Sequence, residues 1–149
     1  MKKKPFDLET HVCCLLQSYH HWLGKDLILP TGDPAAALDQ APFPVLSHGT
    51  EVDPILNYGN RIALQLWEMD WAEFTRTPSR LTAEAPIRED RARLLAEVSE
   101  KGFIENYSGI RISKSGRRFR ISGGTVWNLL DEAGLFAGQA ATFNFWVEI

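Results

Sequence analysis

Residues 105–141 read ENYSGIRISKSGRRFRISGGTVWNLLDEAGLFAGQAA, and our prediction of the fold starts from this stretch. It holds strand-like runs at 106–114 and 117–131 and the beginning of a third at 138–146. Short turn-forming segments, Ser115-Gly116 and Glu132-Ala133-Gly134, join the runs. Strands that follow one another through short turns pair antiparallel. We therefore expect an antiparallel meander in the C-terminal part of the chain.

The middle run alternates as a strand does when one face is buried and the other is wetted. Residues two apart in a strand share a face. The predicted buried face holds Phe119, Ile121, Thr125, Trp127 and Leu129, and the wetted face holds Arg118, Arg120, Ser122 and Asn128. The pair Gly123-Gly124 inside this run predicts a β-bulge, and a bulge exchanges the two faces beyond it.

The composition narrows the class of protein. The 149 residues fit one domain, and 16 basic against 19 acidic residues give a net charge of −3. A dedicated nucleic-acid binder usually has a basic excess, so we expect no nucleic-acid partner. No apolar run approaches the roughly 18 residues of a membrane span, and the N-terminus lacks the apolar core of a signal peptide. We expect a cytoplasmic protein without a membrane partner, in which the adjacent Cys13 and Cys14 form no disulfide with each other.

An amphipathic helix begins the chain. Asp7 is suited to cap its start and Gly24 to end it. Apolar residues recur at intervals of three or four, at Leu8, Val12, Leu15, Leu16, Tyr19 and Leu23. On the polar side, His11 and Cys14 have the i, i+3 spacing of two metal ligands, but spacing fixes no third ligand. We interpret this side as a solvated face and expect no metal site.

Shorter elements connect this helix to the meander. Prolines and glycines mark residues 25–44 as a linker that includes a short helix at 35–39. Strands are predicted at 43–48 and 55–58, and Asn60 is suited to cap a helix that ends near Asp70. A further helical turn covers 71–74 and a loop covers 78–82. A long helix is predicted from Pro86 to about Lys101.

Several sequence blocks resemble a known family. They read NYGN at 57–60 with ALQLW at 63–67, PSRLTAE at 78–84, YSGIRIS at 107–113 with GRRF at 116–119, and TVWNL at 125–129. The strand that runs into a helix through Asn60 resembles the second strand and following helix of PAS domains. The whole set of blocks resembles the MEKHLA family. This PAS-like group occurs as stand-alone bacterial proteins and at the C-terminus of plant class III homeodomain-leucine zipper transcription factors.

This resemblance implies an α+β fold of PAS-like build, with a five-stranded antiparallel sheet covered by helices and an N-terminal helix. Residues 1–149 would form a single domain, made of the N-terminal helix (1–24), the linker (25–44) and a PAS-like core (45–149). The resemblance also implies a small-ligand-binding or sensory module that acts through protein association, as a homodimer or with a separate signalling protein. We expect the N-terminal helix either to pack on the outside of the sheet or to pair with the same helix of a second copy.

An internal pocket is the first candidate site. Apolar walls with a few polar groups suit a flat small molecule. The predicted lining is Trp67, Phe74, Phe119, Trp127 and Phe143. The alternative is that these residues are plain core, because aromatic side chains carry much of the buried area of a small domain.

Two cofactors known from PAS domains make specific demands on the sequence. Covalent flavin chemistry would need a cysteine on the helix after the second strand, and there is none between Asn60 and Phe74. Haem would need a histidine there or on the long helix, and His48 is the only histidine beyond residue 21. We expect neither cofactor.

Arginines form the second candidate site. Arg111, Arg118 and Arg120 can meet on neighbouring strands, with Arg117 beside the turn, and guanidinium groups bind carboxylate or phosphate well. The alternative is a solvated face whose arginines pair with nearby carboxylates, namely Glu105, Asp131 or Glu132. The loop residue Arg80 is expected to orient a ligand beside the pocket, and Tyr107 is assigned to the same binding site.

The sequence thus leaves three functions open. The first is the small-ligand sensor and the second is a ligand-free interaction or dimerisation domain. The third is an acid–base enzyme in a cone-like cavity, for which Asp53, Tyr58 and Tyr107 are the residues to test. No motif of a nucleophile elbow, a zinc protease or a phosphate-binding loop is present, so we expect a protein that is not an enzyme and assign no catalytic residue.

Overall fold

The computed structural model describes residues 6–83 and 88–149, except for the side chains at 88–92 and 95. The helices are α1 (Leu8–Leu23), α2 (Pro34–Asp39), α3 (Arg61–Trp67), α4 (Trp71–Phe74) and α5 (Arg88–Lys101), and a 3₁₀ turn covers Ser79–Thr82. The strands are β1 (Val45–His48), β2 (Leu56–Gly59), β3 (Phe103–Ile112), β4 (Arg118–Leu130), β5 (Phe136–Thr142) and β6 (Phe145–Glu148). The predicted start of the long helix at Pro86 lies outside the described residues.

The strands form one antiparallel sheet in the order β2-β1-β5-β4-β3, and β6 also pairs with β4. The predicted meander is confirmed, but its third run is split into β5 and β6. Both strands lie along the same side of β4, β5 beside Thr125–Leu130 and β6 beside Phe119–Ser122. The split occurs at Phe143, whose side chain enters the core and is 2% exposed.

Helix α1 packs on one face of the sheet, which we call the outer face. Its predicted caps are confirmed, because Asp7 accepts a hydrogen bond from the Thr10 N–H (3.1 Å) and Gly24 takes a left-handed φ of 71°. Val12 and Leu15 are fully buried in the cluster that joins α1 to the sheet. Of the two placements predicted for this helix, the structure therefore has the one on the sheet.

Asn60 joins the linker to the sheet and to α3. Its Oδ1 accepts from Val45 N–H (3.0 Å) and from Ala63 N–H (3.2 Å), the latter being the predicted cap. Its Nδ2 donates to Leu38 O (3.0 Å) and Phe43 O (2.8 Å). All of its amide hydrogen-bonding groups have partners, so burial of this polar side chain costs little free energy. The same bonds fix where α2, β1 and α3 meet.

Helices α3 and α4 cover the opposite face, which we call the inner face. Helix α3 ends at Trp67, before the predicted Asp70, because Glu68 takes a left-handed φ of 61°. Phe74 of α4 packs directly on β2, where a Cβ on Gly59 would lie 2.6 Å from its ring. Helix α5 approaches β4, and Asn128 Nδ2 donates to Val98 O (3.1 Å).

Two compensating bulges shape the pairing of β3 with β4. One extra residue enters β3 beside Asn106 (φ 57°), and one enters β4 beside Gly123 (φ 64°). Both take left-handed backbone conformations, which Gly and Asn tolerate best. The bulge predicted at Gly123-Gly124 is therefore confirmed, and it moves the alternation of β4 by one residue.

Among the described residues, none of the helices combines the length and the apolar character that crossing a membrane requires.

Candidate ligand-binding site

Trp67 forms the centre of an aromatic cluster on the inner face. Its ring packs edge to face against Phe119 (5.3 Å between centroids), Phe74 (6.3 Å) and Phe143 (6.3 Å). Its indole N–H donates to Thr82 O at 3.1 Å. Four of the five predicted lining residues therefore meet, and each is almost fully buried. They act as packed core at this point of the inner face.

Trp127 lies on the outer face, so its assignment to this lining was wrong. Its ring packs edge to face on Tyr19 of α1 at 5.0 Å, and its indole N–H donates to Leu15 O at 3.2 Å. The physical reason is the bulge at Gly123. Phe119 and Ile121 precede the bulge and face inward, whereas Trp127 follows it and faces α1. A single buried face for the whole of β4 was therefore also wrong.

Tyr107 and Arg111 form a polar pair on the inner side of β3. Arg111 Nη2 donates to the Tyr107 hydroxyl (2.9 Å), and the guanidinium carbon lies 5.2 Å from the centre of the Tyr107 ring. Both side chains are half-buried, and Tyr107 packs against the Trp67 cluster. Gly109 lies between them, and a Cβ there would come within 2.9 Å of the Tyr107 hydroxyl oxygen. The glycine therefore allows the two side chains to converge.

The predicted row of arginines is divided between the two faces. Arg111 pairs across the strands with Phe119 and shares its inner face. Arg118 and Arg120 alternate with Phe119, so they lie on the outer face and are exposed. The three do not form a single anion site, because the predicted row combined positions of opposite orientation on neighbouring strands.

Arg80 is paired at the surface. Its Nε donates to Asp53 Oδ2 at 3.1 Å, and more than half of each side chain is exposed. This contact holds the 3₁₀ turn against the segment before β2. The side chain of Arg80 is thus bonded to Asp53, whereas that of Arg111 is bonded to Tyr107.

The turn between β3 and β4 is attached to α3 and α4 by charged groups. Glu68 accepts hydrogen bonds from the hydroxyls of Ser113 and Ser115, which hold the pKa of its carboxyl below the usual range. Lys114 Nζ lies 2.8 Å from a Glu73 oxygen, and this hydrogen-bonded carboxylate raises the pKa of Lys114. The end of the hairpin thus has a fixed position relative to the Trp67 cluster.

His11 lies in a polar network under α1, not on the predicted solvated face. Its Nε2 is 2.9 Å from the Ser47 hydroxyl oxygen, and this hydroxyl donates to Asn57 Oδ1 at 2.6 Å. Since the hydroxyl donates to Asn57, it accepts from the Nε2–H of the imidazole. Burial lowers the pKa of His11 to about 4. Spacing could not reveal this network, because its other members come from β1 and β2.

The three residues proposed for acid–base chemistry lie apart. Asp53 is at the surface with Arg80, and Tyr107 is on the inner face with Arg111. Tyr58 lies under α1, where burial raises the pKa of its hydroxyl and the described residues offer that hydroxyl no hydrogen-bond partner. They share no site, and this arrangement does not favour the enzyme hypothesis.

His11 and Cys14 also have separate partners, since Cys14 Sγ donates to Leu130 O at 3.1 Å. Over residues 6–83 and 88–149, no group of three potential metal-ligating side chains comes together.

An open groove between α2 and α3 is a feature that the sequence did not indicate. Its volume is about 480 Å³, and it is lined by Asp39, Arg61, Leu64, Gln65, Glu68, Met69 and Asp70. Asp39 already accepts from Arg61 N–H (3.1 Å), and Asp70 caps α4 through Glu73 N–H (2.8 Å). These carboxylates hold helix ends in place.

The family of the chain follows from its sequence over nearly the whole length. The MEKHLA domain family matches residues 9–148. The chain belongs to the MEKHLA family. This match confirms the resemblance seen in the blocks around Asn60 and Tyr107. No curated protein matches the chain.

Solved structures similar to this MEKHLA domain are PAS and light-oxygen-voltage domains. A PAS domain from Colwellia psychrerythraea is 13% identical, with a TM-score of 0.63, 77% of this chain covered and 92% of that chain. A light-oxygen-voltage domain studied with a flavin analogue is 14% identical, with a TM-score of 0.59 and coverages of 77% and 83%. An RNA-binding light-oxygen-voltage receptor is 17% identical, with a TM-score of 0.65, and the match covers 83% of this chain but 35% of the receptor. At these identities the similarity establishes the PAS-like fold of the MEKHLA domain, as predicted.

Proposed function

We propose that this MEKHLA domain is a sensory module that binds a small molecule on the inner face beside β3 and reports by protein association. One observation carries the proposal: none of the ten residues of β3 is fully buried, although its inner side adjoins the buried Trp67 cluster. Ligand sites combine apolar walls with a few converging polar groups. Tyr107 and Arg111 supply such groups at the border between buried core and accessible surface.

The outer face of β6 supports the association step. Phe145, Val147 and Ile149 form an outer stripe, because residues two apart share a face. They are 65%, 66% and 51% exposed. Phe145 pairs with Ser122, and Val147 with Arg120, on the part of β4 that precedes the bulge. We propose that a second copy of the chain covers this stripe.

Native mass spectrometry of the protein purified from its own host tests the ligand. We expect extra mass on the folded protein that disappears after denaturation and gives the weight of the bound molecule. A Gly109→Val variant is the matched test of location, because a side chain there would displace Tyr107 and Arg111. It should lose the extra mass, whereas Gly32→Val, at an exposed position where a Cβ meets no other atom within 4 Å, should retain it. Folded protein without extra mass would contradict the sensor proposal.

A ligand-free association domain is the second candidate, and the tight Trp67 cluster favours it. Trp67 and Phe74 are fully buried and in ring contact, so this part of the inner face is filled by side chains. This candidate predicts a homodimer that carries no extra mass in the same experiment. Neither candidate includes a catalytic step, because the predicted acid–base residues are separated.

A further inference from the structure

We infer that Arg111 makes this site selective for organic anions: the ligand carries a carboxylate or phosphate group that the Arg111 guanidinium binds, on an apolar body. This inference rests on the proposed function. It names the chemical class of the molecule that the inner face would take.

The hydrogen bonds of Arg111 leave most of its donors available. A guanidinium has five N–H donors in a rigid plane. Nη1 donates to Ile110 O at 3.3 Å, and Nη2 donates to the Tyr107 hydroxyl at 2.9 Å. Both acceptors are neutral. The remaining donors can bind a planar carboxylate through two parallel hydrogen bonds.

The charge of Arg111 is uncompensated in the part of the chain that the structure describes. Three other surface cations have carboxylate partners: Arg80 pairs with Asp53, Lys114 with Glu73 and Arg117 with Glu148. Arg111 contacts no carboxylate of the described residues, although it is half-buried beside an aromatic cluster. A partly desolvated cation without a counter-charge is costly. An anionic ligand would remove that cost.

The orientation of Arg111 is fixed before any ligand binds. Its guanidinium lies over the Tyr107 ring at 5.2 Å and is hydrogen-bonded to the hydroxyl of the same residue. Gly109 makes this arrangement possible, since a Cβ there would approach Arg111 Nη1 to 3.2 Å and the Tyr107 hydroxyl still more closely. A side chain held in this way loses less conformational entropy on binding.

The test uses three probes of similar size: phenylacetate, phenyl phosphate and the neutral phenylacetamide. Each is titrated into ¹⁵N-labelled full-length protein at constant ionic strength, and the Nε–Hε signal of Arg111 and the amide signals of β3 are followed by NMR. We expect at least one of the two anions to move these signals and to bind about tenfold or more tightly than the amide, about 1.4 kcal/mol. The anion that binds more tightly shows whether the site prefers a ligand with a carboxylate or one with a phosphate group.

Arg111→Gln should reduce the affinity for the anions by about tenfold or more and leave that of the amide unchanged. Arg120→Gln is the matched control, because Arg120 is an exposed arginine on the opposite face of the neighbouring strand. It should bind all three probes as the unmodified protein does. If Arg111→Gln does not fold, the comparison of the anions with the amide on the unmodified protein still tests the anion inference.

Two results would count against these ideas, and they differ. Equal affinity for anions and amide at the β3 signals would overturn the anion inference and leave the small-molecule site intact. If none of the three probes moves any inner-face signal, the anion inference fails, whereas the proposed function fails when the folded protein from its host carries no extra mass.

Discussion

His11 is a basic group that folding keeps neutral. It lies between α1 and the sheet, 2.9 Å from the Ser47 hydroxyl oxygen and 5.2 Å in ring separation from Phe6. Burial lowers its pKa to about 4, whereas a free histidine has a pKa of about 6.5. Between these values the unfolded chain binds a proton that the folded protein does not bind.

We therefore predict that the free energy of unfolding decreases as the pH falls through 6.5 toward 4. Each pKa unit corresponds to about 1.4 kcal/mol, so His11 should account for roughly 2 kcal/mol between pH 7 and pH 5. Urea unfolding at both pH values measures this loss. His11→Gln should show a decrease that is smaller by about that amount, whereas His21→Gln, at an exposed position of the same helix, should behave as the unmodified protein. An unchanged decrease in His11→Gln would show that His11 does not cause it.

At the residue scale, local signals were predictable and long-range partners were not. The capping bonds of Asp7, Gly24 and Asn60 are made to residues a few positions away in sequence, so these roles could be predicted directly. His11 and Arg80 take their partners from segments that are distant in sequence. Their exposure and charge state depend on the assembled sheet, which no spacing rule encodes.

Strand β4 carries two different buried faces in one element. Its first part contributes Phe119 and Ile121 to the inner cluster, and its second part contributes Trp127 and Leu129 to the cluster under α1. The change takes place at Gly123, whose φ is 64°. This one residue makes a single strand compatible with both layers of helices.

We predict that deletion of Gly123 prevents folding or lowers the free energy of unfolding by more than 4 kcal/mol. The deletion would turn Trp127 and Leu129 away from α1, and losing buried large side chains costs several kcal/mol each. Circular dichroism and urea unfolding measure the effect. Deletion of Gly134, in the exposed turn before β5, is the control and should cost much less. A stable protein without Gly123 would show that the bulge does not set the faces of β4.

At the element scale, the sequence pattern predicted the bulge of β4 but not the orientation of the residues beyond it. The Gly123-Gly124 pair indicated a bulge, but alternation alone gave one continuous buried face and so placed Trp127 beside Trp67. The compensating residue at Asn106 lies in a different strand. Its effect emerges only when the register of β3 against β4 is known.

The whole molecule has an uncovered apolar surface at its C-terminal strand. The outer stripe (Phe145, Val147, Ile149) lies on the face that α1 covers farther along β4. Exposed apolar surfaces of this kind commonly mark interaction sites.

We predict that the double variant Phe145→Ser, Val147→Ser weakens the proposed homodimer by about tenfold or more while the fold is retained. Both side chains are mostly exposed in the single chain, so their loss costs the monomer little. Sedimentation analysis over a concentration series measures the change. Leu29→Ser is the matched control, because Leu29 is 87% exposed and lies outside the stripe. A homodimer of unchanged affinity would place the interface elsewhere.

At this scale the family and its fold could be predicted, because the sequence blocks extend over most of the chain. The chemistry of the site could not. It depends on which arginines share a face with the aromatic cluster, and only the register of β3 separates Arg111 from Arg118 and Arg120.

The paired bulges of β3 and β4 also constrain how relatives of this chain can diverge. A relative that lacks the extra residue of β4 must also lack the extra residue of β3, because otherwise the hydrogen bonds between the two strands would be out of register. In such a relative, the large apolar residues beyond the bulge must occupy positions that are shifted by one. Gaps in an alignment of such relatives should therefore occur as a pair. An alignment that opens a gap at one strand alone would equate residues that face opposite sides of the sheet.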